Sequence, residues 1–133
     1  MTIVTSSRKP APEVRKIAKE IAFALDYPYV QRGKTGIRDM GTNDPKIIFL
    51  SGSKRKGPIF DLMVNGDIIF SMLLTNVNEI ERTGEFRKGF VTREHELFNF
   101  LSPYIPITYD EKADGPIVFC GTQKKQYILQ VMV

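Results

Sequence analysis

The sequence predicts a single α/β domain with a mixed sheet, and three stretches carry that reading. The β-branched segment Thr2-Ile-Val-Thr5 suits a short strand and runs into a stripe of helical period. The run Ile47-Ile-Phe-Leu50 is apolar without alternation, as in a central strand covered on both faces. Asn65-Gly66 lies between two strand-like flanks and is the preferred pair for a two-residue hairpin turn.

In chain order, Pro10 and Pro12 end the first strand because neither donates a ladder hydrogen bond, and Pro12 has the fixed φ that suits the first position of a helix. Val14, Ile17, Ala18, Ile21, Ala22 and Leu25 then form one apolar stripe over a helix from Pro12 to about Leu25. Arg15, Lys16 and Lys19 occupy its polar side, with Phe23 between them in projection and expected to pack under another element. Tyr27 to Val30 reads as a short strand, and Thr35 as the cap of a short helix through Ile37 and Met40. Ile59–Val64 and Asp67–Leu74 are the two arms of the hairpin, and Asn76 to Lys88 reads as a solvated polar loop. Thr92 caps a second helix over about Arg93 to Leu101, which turns Leu97, Phe98 and Leu101 toward a core. Pro116–Gly121 and Gln126–Val133 are strands joined by Thr122-Gln-Lys-Lys125, and Cys120, the sole cysteine, is expected as a small buried strand residue.

The chain of 133 residues is long enough for a core without disulfides or metal, and 42% hydrophobic with 26% charged residues reads as globular. No apolar run approaches the roughly 20 residues that span a bilayer, and the first residues lack a signal-peptide apolar segment, so a cytoplasmic protein with no membrane partner is expected. The net charge of +4 is unevenly divided: residues 1–57 hold twelve Lys/Arg against five Asp/Glu, a balance of +7, and residues 58–133 hold seven against ten, a balance of −3. A basic half of this kind points to a polyanion.

Three basic loops each follow a predicted strand: Arg8-Lys9, Arg32 with Lys34, and Lys54-Arg55-Lys56. The first holds Ser6 and Ser7 beside a helix N-terminus, whose N–H groups and dipole favour an anion; it reads either as a phosphate seat or as solvated surface. If strands 2–5, 27–30 and 47–50 are parallel neighbours, all three loops gather at one sheet edge, where ligands bind in open α/β sheets. The residues expected to meet a polyanion are therefore Arg8, Lys9, Arg15, Lys16, Lys19, Arg32, Lys34, Lys54, Arg55 and Lys56; where the polyanion is RNA, as the resemblance below implies, these are the expected RNA-binding residues, with Tyr27 or Tyr29 stacking on unpaired bases.

Catalytic chemistry is not expected. Gly33-Lys34-Thr35 resembles the end of a phosphate loop, but that loop needs a glycine at position 28, which is Pro. Glu79, Glu81 and Glu85 have no His, Cys or Asp at ligand spacing, and His95 between Glu94 and Glu96 reads as an exposed side chain without a nucleophile to serve. No cofactor or metal is expected.

Five stretches, taken together, resemble a known family along the whole chain. They are Thr5-Ser-Ser-Arg-Lys-Pro10 with the helix after it; Arg32-Gly-Lys34; Ile47–Leu50 with its basic loop and Gly57-Pro58; Val91-Thr-Arg93 with a helix ending at Tyr104-Ile-Pro106; and the pair Gly115-Pro-Ile-Val-Phe119 and Tyr127-Ile-Leu-Gln-Val131. Their order and spacing resemble the Brix domain in its short archaeal form. The resemblance implies two half-domains, about 1–65 and 66–133, each of mixed sheet plus helices and related to the anticodon-binding domain of class II aminoacyl-tRNA synthetases. It also implies a non-catalytic factor of ribosome biogenesis whose partner is precursor ribosomal RNA, on the branch that processes small-subunit precursors. The alternative is a protein-binding scaffold of the same particle, which meets ribosome-assembly or ribosomal proteins through residues 76–114 or a strand edge at Tyr127–Val133.

Overall fold

Every residue of the first strand, β1 (Thr2–Ser6), is buried, and the sheet grows outward from it. The structure, a computed structural model, describes residues 2–31, 46–53 and 57–133. After β1 come helix α1 (Pro12–Leu25), β2 (Lys46–Ser53), β3 (Gly57–Val64), β4 (Asp67–Glu81), β5 (Phe90–Thr92), helix α2 (His95–Leu101), β6 (Ile107–Tyr109), β7 (Ile117–Cys120) and β8 (Lys125–Met132). Among the described residues eight strands form one mixed sheet in the order β1-β2-β3-β4-β8-β7-β5-β6. β1 runs parallel to β2 and β5 parallel to β6, while the other pairs are antiparallel.

The helix from Pro12 to Leu25 has the bounds its pattern predicts, with Pro in the first turn and Asp26 in the left-handed conformation at its end. Its stripe shares one buried core with Val4, Ile48, Leu50, Phe60, Leu62, Met72, Phe119 and Tyr127, and the helix packs on β1, β2, β3 and β7, strands from both ends of the chain. Ile47 joins Ile3 and Met63 in a second, smaller cluster, separate from the one that holds Ile48. Both faces of β2 are therefore covered, as the unbroken apolar run predicts. Asn65 and Gly66 both have positive φ, 52° and 87°, as a type I′ turn requires.

Several expectations are corrected. Residues 27–30 form no full strand, only a parallel bridge between Val4 and Tyr29, held by Val4 N–H to Pro28 O at 2.9 Å and Val30 N–H to Val4 O at 2.8 Å. Residues 76–81 are not a loop: β4 runs on to Glu81 because β8 pairs with it from Leu73–Met132 to Glu81–Lys125, across a bulge between Leu74 and Asn76. Thr92 is still strand, and its Oγ1 accepts from Glu94 N at 3.0 Å, so α2 begins at His95 and is only seven residues long. Leu97 and Leu101 face the core as expected, whereas Phe98 is half-buried. Cys120 lies in β7 but is also only half-buried. The expected short helix through Ile37 and Met40 lies outside the described residues.

One buried carboxylate fastens α1 to the last hairpin. Glu20, 7% exposed, accepts from Thr122 N at 2.8 Å and from Thr122 Oγ1 at 2.7 Å, so its charge keeps hydrogen bonds in place of water. Gly121 makes room for this contact, since a Cβ there would lie 2.5 Å from the Tyr127 ring and 2.8 Å from Glu20 Oε2. Gly121→Ala is expected to lower stability by about 1–3 kcal/mol, as overpacking of a filled core does. Urea denaturation of the two proteins checks this; equal midpoints would show that the ring and carboxylate move aside freely.

Candidate nucleic-acid interface

The carboxyl ends of β1, of residues 27–30 and of β2 lie side by side, because Tyr29 and β2 both run parallel to β1. Ser7 N–H donates to Leu50 O at 3.0 Å, so the chain leaves β1 in contact with β2. Lys9 takes a positive φ of 47°, which turns the chain back toward α1. A cleft of about 250 Å³ opens at this corner, lined by Ser6, Ser7, Arg8, Lys9, Pro10, Arg15, Tyr29 and Gln31. No side chain caps α1. The first turn thus presents its positive end near these cations, with Glu13 as the acidic residue of that turn.

The expected cations fall into three groups. Arg8, Lys9 and Arg15 line the cleft together. Lys19 lies over the Tyr29 ring, 5.7 Å from its centroid, and Tyr29 OH is 2.7 Å from Ser6 Oγ, so Lys19 joins the same corner through the aromatic ring. Lys16 points elsewhere: its Nζ donates to Glu79 Oε1 at 2.9 Å. Arg32, Lys34, Lys54, Arg55 and Lys56 lie outside the described residues: of the geometry the convergence needs, β1 and β2 are parallel and residues 27–30 contribute only a parallel bridge, while the second and third loops are not described.

Tyr27 and Tyr29 do not offer open rings as expected. Tyr27 packs half-buried against the core, and burial, opposed by a hydrogen bond with Thr2, raises its phenol pKa; Tyr29 is half-buried between Ser6 and Lys19. The exposed aromatic side chains near α1 are Phe23, 44% exposed, and Phe86, 43% exposed, whose rings meet edge-on with centroids 5.0 Å apart. Phe23, expected to pack under another element, instead stays exposed and meets Phe86 edge-on in the segment between β4 and β5. Phe86 was not foreseen, because its flanks are polar and only the tertiary fold brings it to α1.

Glu79 gathers charge on the part of β4 beyond the bulge. Its Oε1 accepts from Lys16 and from Tyr127 OH, each at 2.9 Å, with Lys125 Nζ at 3.6 Å. The Lys16 hydrogen bond first, then Tyr127 and Lys125, hold its carboxyl below the usual carboxylate range. Burial and the neighbouring Glu79 and Glu20 push the Tyr127 phenol well above its usual range, so it stays a donor. Among the described residues no group of three or more His, Cys, Asp or Glu is placed to hold a metal, and no helix is long and apolar enough to cross a membrane. His95 is exposed and stacks on Tyr109 at 4.1 Å.

A folded-state pKa below the unfolded value means that Glu79 stabilises the fold at neutral pH and that this contribution fades as pH falls through the folded pKa. Glu79→Gln is therefore expected to lower the melting temperature at pH 7 and to differ less from the parent near pH 3. Thermal melts across that range check it; a difference that persists undiminished in acid would assign the loss to packing.

No protein-family model matches the chain. Over 83 residues it is 32% identical to a protein of Archaeoglobus fulgidus described as "probable Brix domain-containing ribosomal biogenesis protein"; the match covers 61% of this chain and 54% of that protein, about half its length. An archaeal Imp4-like protein of known crystal structure has the same fold, with a TM-score of 0.64, 15% identity and coverage of 98% of this chain and 99% of that one. A "probable ribosomal biogenesis protein" from Aeropyrum pernix K1 superposes with a TM-score of 0.67 and 14% identity over 98% of this chain and 94% of that one. Sequence over part of the chain and fold over nearly all of it point the same way: the chain is similar to a Brix domain-containing protein over 61% of its length and shares its fold with an archaeal Imp4-like protein.

Proposed function

We propose that the protein is a non-catalytic factor of ribosome biogenesis that binds precursor ribosomal RNA through the corner at the end of β1. The observation that carries this reading is the cleft in which Arg8, Lys9 and Arg15 meet two serine hydroxyls beside the first turn of α1. Guanidinium, ammonium, hydroxyl and backbone N–H groups are the donors that hold phosphate oxygens. The +7 balance of residues 1–57 supplies the long-range attraction, and the description of the Archaeoglobus relative supplies the cellular setting. Arg32, Lys34, Lys54, Arg55 and Lys56, which follow residues 27–30 and β2 in the sequence, belong to the same proposal.

The test is binding to a small-subunit precursor RNA and to an unrelated structured RNA across a salt series. Steep salt dependence with preference for the precursor is expected. Replacing Arg8, Lys9 and Arg15 by Ala is expected to shallow the slope of log affinity against log salt by up to about one unit per lost phosphate contact. An unchanged slope would remove the cleft from the interface.

A protein-binding scaffold is the second reading, favoured by a groove of about 520 Å³ at the other end of the molecule. Its apolar walls include Ile69, Phe70, Leu97, Phe100 and Val131, and Glu94 and Glu96 line it too. This groove includes part of the expected docking face at 76–114. The expected strand edge at Tyr127–Val133 is closed on the β4 side along β8 and on the β7 side only from Gln126 to Leu129, so what remains of it is the β7 side beyond Leu129. No RNA binding by the intact protein at low salt would favour this reading over the first.

A further inference from the structure

We infer that Phe23 and Phe86 form a stacking platform for an unpaired RNA base, placed at the far end of the cationic face of α1. The inference rests on the RNA-binding reading above and adds to it a class of ligand, RNA with an unpaired nucleotide, and a second contact point away from the cleft. Arg15, Lys19 and Phe23 stand at successive intervals of four residues, so they line one side of α1 over about 12 Å. Arg15 lines the phosphate cleft, Lys19 lies beyond it, and Phe23 ends the row against Phe86. Arg82 lies 5.7 Å from the Phe86 ring centroid, a cation beside an exposed aromatic face.

The platform is held in place. Arg82 donates through Nη1 to Gly121 O at 3.1 Å and through Nε to Gly84 O at 3.2 Å, and Gly89 N–H donates to Ala24 O at 2.7 Å. Both ends of the segment carrying Phe86 are thereby tied, one of them to α1 itself. Two large apolar rings more than two-fifths exposed, with Arg82 beside one and Lys19 one helical turn before the other, form the pairing of aromatic surface with positive charge that binds single-stranded nucleic acid. A basic peptide does not suit this face, where Lys16 is matched with Glu79 and Lys88 with Asp26, Lys19 stands one turn before Phe23, and Arg82 lies over the Phe86 ring.

The test titrates the full chain with a fluorescent unstructured oligoadenylate RNA over a salt series, alongside Phe23→Leu and Phe86→Leu. Leucine keeps apolar contact between α1 and the 82–89 segment but has no aromatic face. Each variant is expected to lose roughly tenfold in affinity, the scale of one base stack, with the salt slope unchanged because no phosphate contact is removed. Affinities within twofold of the parent in both variants, or a loss that appears as a shallower slope, would overturn the inference. The chain has no tryptophan, so Phe86→Trp adds a single reporter whose emission is expected to be quenched at saturating RNA; unchanged emission would also overturn it. If the parent protein binds no RNA at low salt, the RNA-binding reading fails and takes this one with it. If only the Arg8, Lys9 and Arg15 variant loses binding, that reading stands and the platform alone falls.

Discussion

Parallel pairing to β1 is the constraint on which this fold turns. Two neighbouring parallel segments cannot be joined by a tight turn, so the chain between β1 and residues 27–30 must cross one face of the sheet, and α1 is that crossover. The buried stripe of α1 fixes which face it covers, and the shortness of residues 7–11 fixes where it begins. The end of β1 and the first turn of α1 are therefore confined to one corner. Two serines, Arg8, Lys9 and Arg15 meet there because the topology leaves them no other place.

A helix laid only over the first strands could slide along them, and here it is fixed from the other side as well. Glu20 reaches the turn between β7 and β8 through two hydrogen bonds, a contact across 102 positions of sequence. A buried carboxylate is costly unless its acceptors are used, so this bond acts as a locator whose loss leaves a charge without partners. Glu79 adds a weaker, exposed contact from β4, by accepting from Lys16 and from Tyr127. The polar face of α1 thus has a set orientation to the sheet, and the row of Arg15, Lys19 and Phe23 runs along a held surface.

Features fixed by neighbours in sequence were legible before the structure. The helix from Pro12 to Leu25 was readable from its proline start and its stripe, and the hairpin from Asn65-Gly66, since both are set by local backbone chemistry. The extension of β4 to Glu81 was not legible. Asn76-Val-Asn-Glu-Ile-Glu81 has the composition of a loop, and only the ladder with β8, beginning more than forty residues later, makes it strand. The start of α2 slipped by two residues because Thr92 serves the strand and caps nothing within the helix. In the candidate site, Arg8 and Lys9 were found from a local motif, whereas the inward turn of Tyr29 and the meeting of Phe23 with Phe86 are tertiary and left no mark on residue spacing.

Counting cations overstates what such a surface offers a polyanion. Affinity gained from phosphate contacts comes from counterions released by the nucleic acid, and a lysine already held by a carboxylate must give up that partner before it can bind a phosphate. Lys16 lies 2.9 Å from Glu79, and Lys88 lies 3.8 Å from Asp26, so both enter any complex at the cost of an existing attraction. Surface pairs of this kind are individually weak, which makes the exchange possible but reduces its yield. The carboxylates also confine where phosphate is welcome. Glu79 shields the stretch of α1 nearest β4, while Arg15 and Lys19 remain on the side that leads from the cleft to Phe23. For the proposed interface the acidic residues therefore matter as much as the basic ones, because they narrow a broadly positive half to one track along α1.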